Sequence, residues 1–237
     1  QLQRDVGEQL LHNLDQVAAA PATVLDLGSG TGYFAPALRS RYPAARYLGL
    51  DLAEGMCRYA RTHHPEAGAW LVADAESLPL ATASVDLVFS SLAVQWCQRP
   101  EALFAELARV LRPGGRGVFT SLGPGTLREL RAAWRAVDPH RHVNEFLPLA
   151  RLEAAVANLP GLALTLTQRD SRMAYDEVRE LLDELKTLGA HNVSRQRPAG
   201  LGGRRALLGM LRAYEQWRDR AGKVPATYEV IFGVVEK

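Results

Sequence analysis

The chain has 237 residues, 47% hydrophobic and 23% charged, with a formal net charge of +2. That is enough for one sizeable core and short for two independent domains. No apolar run approaches the roughly 18 residues that span a bilayer, the first fourteen residues lack the apolar core of a secretory leader, and Cys57 and Cys97 sit in separate segments as reduced packing thiols would, so a single cytoplasmic domain with no membrane partner is expected.

Residues 1–121 alternate strands and helices, the pattern of a doubly wound α/β fold with a mostly parallel sheet. Thr23–Leu27 is an apolar run entering a glycine cluster; Arg46–Leu50 is a second strand ending on Asp51; Ala69–Ala73 is a third ending on Asp74. Ser84–Ser91 reads as a fourth strand, Glu101–Leu111 as an amphipathic helix stopped by Arg112-Pro113-Gly114-Gly115, and Gly117–Ser121 as a fifth strand. Further on, Ala163–Thr167 and Thr227–Val234 are candidate strands, with helices over Tyr175–Leu188 and Gly203–Arg220 between them. Ligands of open α/β sheets bind beyond the carboxyl ends of the strands, so the acids and glycines are expected to converge there.

The sharpest signal is Val24-Leu25-Asp26-Leu27-Gly28-Ser29-Gly30-Thr31-Gly32. Three glycines at two-residue spacing let the backbone turn sharply and a ligand lie against it. A G-x-G-x-x-G dinucleotide turn needs Gly or Ala at the sixth place, where this chain has Tyr33. Asp26 adds a carboxylate unfavourable to a pyrophosphate and suited to the ammonium of an amino-acid-bearing cofactor. Asp51 is placed to accept ribose hydroxyls, and Asp74 with the Ala75 backbone to meet adenine. Over about residues 20–121 this constellation resembles the class I S-adenosylmethionine (SAM)-dependent methyltransferases. The resemblance implies a seven-stranded Rossmann-like sheet and SAM as cofactor, with S-adenosylhomocysteine as its product. It places Asp26, Gly28, Gly30 and Gly32 around the methionine end, Asp51 at the ribose and Asp74 at the adenine, with Leu52, Met56, Ala75 and Ser91 also lining the site.

In the simplest members of that superfamily the last two strands form a close hairpin, whereas here about 60 residues separate them. Segments of about 123–145 and 174–224 are therefore expected to form a helical lid that excludes water from the methyl donor. Ser91-Leu92-Ala93-Val94-Gln95-Trp96-Cys97, Leu122-Gly123-Pro124-Gly125-Thr126-Leu127, His142-Val143-Asn144-Glu145-Phe146, Gly189-Ala190-His191-Asn192-Val193 and Pro225 to Gly233 resemble the malonyl-[acyl-carrier protein] O-methyltransferases of biotin synthesis. That family's pattern has a further aromatic-containing segment upstream of the helix that begins at Leu2, and Gly-Leu-Thr-Gly-Arg where this chain has Gly-Leu-Gly-Gly-Arg at 200–204.

The resemblance implies methyl transfer to the free carboxylate of a malonyl thioester on acyl carrier protein, priming pimeloyl assembly. A carboxylate is already ionised at neutral pH, so no general base, no His–acid dyad and no metal are expected; His140 and His142 have no third ligand in view. Gln95, His142, Asn144, His191, Arg197, Arg204 and Tyr228 are the candidates to orient the acceptor. Residues 190–237 carry nine basic and four acidic groups against 19 and 22 in residues 1–189. Arg204, Arg205, Arg212, Arg218 and Arg220 thus offer a docking face for an acidic carrier protein, while no aromatic-interleaved basic stripe points to nucleic acid. A methyltransferase of a free small acid or coenzyme A thioester, and a non-catalytic SAM-binding protein, remain alternatives at this level.

Overall fold

The computed structural model describes residues 1–14, 20–187 and 201–237, with the side chains of Thr187 and residues 201–203 outside the description. Seven strands form one sheet in the order β3-β2-β1-β4-β5-β7-β6. Here β1 is Thr23–Leu27, β2 Arg46–Asp51, β3 Ala69–Val72, β4 Val85–Ser90, β5 Leu111–Leu122, β6 Ala163–Tyr175 and β7 Val224–Glu236. The first five pair in parallel and β7 runs antiparallel to β5. Strand order reverses between β1 and β4, the position where such sheets open a crevice.

The helices are α1 (Leu2–Asn13), α2 (Ala35–Arg41), α3 (Glu54–His63), α4 (Pro100–Val110), α5 (Arg128–Arg135), α6 (Leu149–Val156), α7 (Val178–Thr187) and α8 (Leu201–Tyr214). Two compact units emerge, one of residues 1–122, 147–168 and 230–237, the other of 123–146 and 169–229. In the first, Leu25, Leu27, Leu48, Leu50, Val88 and Phe119 are almost wholly buried. Strands covered on both faces read as continuous apolar runs, which is why β1 and β2 were plain in the sequence. In the second, α5 packs on α8, and buried Glu129 accepts from the Thr227 hydroxyl (2.5 Å) and amide (3.1 Å).

Several boundaries differ from the sequence reading. The third strand stops at Val72, leaving Asp74 two residues beyond it in a turn closed by Ser77 N–H to the Asp74 carbonyl. Arg112–Gly115 does not precede β5 but belongs to it, because a register irregularity between Val85 and Leu87 absorbs the extra residues, with Gly114 at φ +80°. Such a bulge keeps a strand going through residues that read as a stop. Both β6 and β7 are 13 residues long. Gln168-Arg169-Asp170-Ser171-Arg172 looks like a polar loop, yet it lies in the sheet's edge strand, where charge is tolerated and blunts edge-to-edge pairing. The helix expected to reach Arg220 ends at Tyr214, followed by a 3₁₀ turn over Glu215–Trp217. Among the described residues, no helix is long and apolar enough to cross a membrane.

Candidate active site

The first unit presents two adjoining cavities at the carboxyl ends of β1, β2 and β4, sharing Gly28. One, of about 370 Å³, is lined by Asp51, Leu52, Asp74, Ala75 and Trp96 among others. The other, of about 290 Å³, is lined by Asp26, Gly28, Ser29, Gly30 and Ser91 together with the start of α1. Two cavities meeting at one residue suit a ligand with one part in each.

The glycine turn connects them. Gly28, Gly30 and Gly32 have φ of +73°, +53° and +78°, a region in which a side chain is strained. Their surroundings separate their roles. A Cβ on Gly28 would lie 2.2 Å from the Ala93 Cβ, and one on Gly32 would lie 2.5 Å from the Trp70 ring, whereas one on Gly30 would meet nothing within 4 Å. Gly28 and Gly32 are thus required by packing, and Gly30 leaves its main chain open toward the cavity it lines. The Gly28 and Ser29 amides are held by the Leu50 carbonyl (2.7 and 2.9 Å).

Asp51 ends β2 and organises its neighbourhood: Oδ2 accepts from the Gly30 N–H at 2.9 Å and Oδ1 from the Ala53 N–H at 2.8 Å. Each oxygen retains acceptor capacity. Asp74 Oδ1 accepts from the Glu76 N–H at 2.8 Å, and Leu52, 72% exposed, offers an apolar face beside them. Asp26 is the penultimate residue of β1 and buried, and its Oδ2 accepts from the Tyr47 hydroxyl at 2.7 Å. Burial pushes its carboxyl up from 3.8 to about 7, with the Tyr47 hydrogen bond opposing and the Asp51 charge adding to the rise. A cation set against it would restore the ionised form. The hydroxyls of Ser29 and Ser91 are buried without partners among the described residues, and buried polar groups of this kind call for a hydrogen-bonding ligand or water. Ser91 is carried by a turn in which Leu92 adopts φ +50° and donates its N–H to Thr120 Oγ1.

The cofactor-site candidates Asp26, Gly28, Gly30, Asp51, Leu52, Asp74, Ala75 and Ser91 therefore line these two cavities. Gly32 stands behind the turn, and Met56, 44% exposed on the first turn of α3, lines neither cavity. Trp96, Cys97, Gln98 and Arg99 also line the larger cavity and were not among the site candidates; Trp96 and Cys97 entered the sequence reading only as part of the Ser91–Cys97 segment, and Gln98 and Arg99 had only their place after β4. The cysteines are free thiols.

The acceptor candidates are dispersed. Gln95 belongs to the first unit, its Nε2 donating to the Leu92 carbonyl at 2.5 Å and its Oε1 buried without a partner among the described residues. His142, Asn144 and Tyr228 belong to the second unit. His142 is engaged within the second unit: its Nε2 lies 2.9 Å from Asp138 Oδ2 while its ring stacks on Trp134 at 3.7 Å. The His140 N–H, then His142 itself, hold the Asp138 carboxyl below its ordinary range. The Asn144 carbonyl accepts from Arg131. Tyr228 is buried, and burial pushes its phenol up to about 12 despite a hydrogen bond with Tyr175, so it is an internal tie of the second unit. Arg204 is exposed on α8, and His191 and Arg197 lie outside the described residues. Among the described residues, no group of three His, Cys, Asp or Glu is arranged to hold a metal.

Comparison with known proteins agrees with this geometry. Residues 25–119 match the family described as "Methyltransferase domain". The chain is 45% identical over its whole length to a malonyl-[acyl-carrier protein] O-methyltransferase of Methylococcus capsulatus, covering 86% of that protein. It is 42% identical to one of Laribacter hongkongensis, covering 98% of this chain and 81% of the relative. A biotin biosynthesis bifunctional protein BioHC of Cellvibrio japonicus is 46% identical over the full chain, which spans 46% of that longer protein. Among solved structures, the YcgJ protein of Bacillus subtilis superposes with a TM-score of 0.67 at 20% identity, covering 97% of this chain and 98% of the other, a likeness of fold.

Proposed function

The chain belongs to the malonyl-[acyl-carrier protein] O-methyltransferase family, and from that membership we infer that it methylates the free carboxylate of a malonyl thioester on acyl carrier protein, in the service of biotin synthesis. The observation that carries the reading is identity along the entire chain, joined to a cleft whose acids and open glycine suit SAM. When bound, SAM supplies a methyl group made electrophilic by its sulfonium. The residues of the chain hold and orient: Asp26 faces the ammonium, Gly30 admits the ligand to close approach of the main chain, Asp51 accepts from the ribose hydroxyls, and Asp74 with the Ala75 amide reads adenine.

The acceptor is an anion before it arrives, so catalysis rests on placing oxygen, methyl carbon and sulfur in line, worth on the order of 7–11 kcal/mol. No proton needs to leave the acceptor, and the His142–Asp138 pair is accordingly assigned a structural part. Gln95, whose buried Oε1 has no partner among the described residues, is the described residue best suited to steering the acceptor. Esterification removes a charge that would be costly to bury in the apolar channels of chain-elongating enzymes.

For the carrier protein we place the docking face on α8. Arg204, Leu208 and Arg212 recur every four residues, with Arg205 beside them, all exposed. Arg218 is removed from the set, since it is spent on Glu215 (2.6 Å) and the Asp176 carbonyl (2.8 Å). Reversing Arg205 and Arg212 to Glu is expected to raise KM for the carrier-bound substrate about tenfold while leaving malonyl-coenzyme A turnover unchanged, because peripheral charges act chiefly on encounter. Equal effects on both substrates would remove the docking face.

The direct test is incubation with methyl-labelled SAM and malonyl-acyl carrier protein, malonyl-coenzyme A or malonate, followed by mass spectrometry. Methyl ester forming fastest on the carrier-bound substrate is expected. Preference for free malonate or the coenzyme A thioester would overturn the substrate, and ester on none of them would overturn the activity.

A further inference from the structure

The smaller cavity has a wall that the glycine motif does not supply. Alongside Asp26 and Gly30 it is lined by Gln1, Gln3, Arg4 and Tyr33. Among the lining residues Arg4 is the sole Lys or Arg. Its guanidinium carbon lies 6.0 Å from the centroid of the Tyr33 ring, a cation–π distance. Tyr33 in turn packs edge-on against Phe34 at 4.9 Å.

The placement of Arg4 is built rather than incidental. Leu2, Val6 and Leu10 recur at four-residue spacing and are buried, fastening α1. At Gly7 a Cβ would fall 1.9 Å from the Phe34 ring, so α1 approaches the segment after the glycine turn as closely as a helix with glycine permits. The lining of this cavity thus includes both a buried acid in β1 and an exposed arginine delivered by a helix seated on Phe34.

The amino-acid end of SAM is a zwitterion. Asp26 answers its ammonium but repels the neighbouring α-carboxylate, so a cation is needed on the other side. A planar guanidinium matches a carboxylate with two parallel donors. We propose that Arg4 binds the α-carboxylate of the SAM methionine moiety, with the Tyr33 ring as the platform that positions its guanidinium. This rests on the SAM reading given above. It also accounts for Tyr33 at the place where a dinucleotide turn needs Gly or Ala: here the position carries a platform.

The test is calorimetry on the full chain with three ligands: S-adenosylhomocysteine, its decarboxylated analogue, and 5′-methylthioadenosine, which lacks the whole amino-acid end. Arg4→Ala is expected to weaken S-adenosylhomocysteine about 10- to 100-fold, the usual range for one charge-assisted contact. Affinity for the other two should stay within about twofold, with an unchanged melting temperature. Arg4→Lys should recover part of the loss, and Tyr33→Leu should weaken S-adenosylhomocysteine several-fold with the same selectivity. Equal weakening of all three ligands, or of none, overturns the assignment of Arg4 while sparing the SAM reading. Failure of the parent protein to bind any of the three overturns both.

Discussion

Replacing Gly30 with valine is expected to weaken S-adenosylhomocysteine more than about 100-fold while the protein stays folded. The position has φ +53° and nothing within 4 Å of a built Cβ, so the folded chain pays only the strain of a left-handed residue, about 1–2 kcal/mol. The added methyls project into the space reserved for the ligand. Gly32→Ala should show the opposite balance. Its Cβ would fall 2.5 Å from the Trp70 ring and 2.9 Å from the His64 ring at φ +78°, so overpacking and strain together should lower stability by roughly 2–4 kcal/mol. Titration calorimetry and chemical denaturation of the two variants separate the effects. If Gly30→Val binds as tightly as the parent, the cofactor does not cross the turn there.

The second large effect concerns Asp26→Asn and pH. In the folded chain the carboxyl titrates at about 7 against an ordinary 3.8. Between about pH 4 and 7 the unfolded chain has released this proton and the folded chain keeps it, so the stability of the ligand-free protein falls as pH rises through that window. Asparagine lacks the titration. The variant should therefore gain on the parent as pH rises, by up to roughly 4 kcal/mol at pH 8, since one pKa unit corresponds to about 1.36 kcal/mol. Binding should respond with the opposite sign. An ammonium pairs with the ionised form, so parental affinity for S-adenosylhomocysteine should fall about tenfold for each pH unit below 7. The variant should bind weakly at every pH, losing more than about 100-fold at pH 8, as truncated buried charge pairs do. Denaturation and calorimetry at pH 5.5, 7 and 8.5 check both. A flat parental affinity would show that Asp26 does not face the ammonium.

Much of the candidate site is local in sequence. Val24 to Gly32 contains the strand, the turn and the acid within nine residues, Asp51 follows at the end of β2 and Asp74 two residues beyond β3. The parallel sheet then gathers these ends at one edge, so order along the chain already implies proximity. The charge argument at Asp26 and the departure from the dinucleotide pattern at Tyr33 were legible for the same reason. The place of Arg4 in the cavity lining was not, because it depends on α1 folding back against Phe34, a contact between Gly7 and a residue 27 positions on that no periodicity encodes. The acceptor candidates are a different case. His142 and Tyr228 are polar residues in motif-like segments, but the fold uses one in a stack on Trp134 and buries the other against Tyr175.

By itself, the sequence determined the sheet's class, the position of its crevice and the family, because glycine conformational freedom and apolar periodicity act within a few residues. Tertiary structure decided what a side chain meets across space. It set which glycine is open and which is packed, moved the Asp26 carboxyl by burying it, spent Arg218 on Glu215 and Asp176, and carried β6 past Thr167, where the expected strand ended, to Tyr175. Desolvation, close packing and pairing are properties of neighbours distant in the chain, and only the folded protein brings those neighbours together.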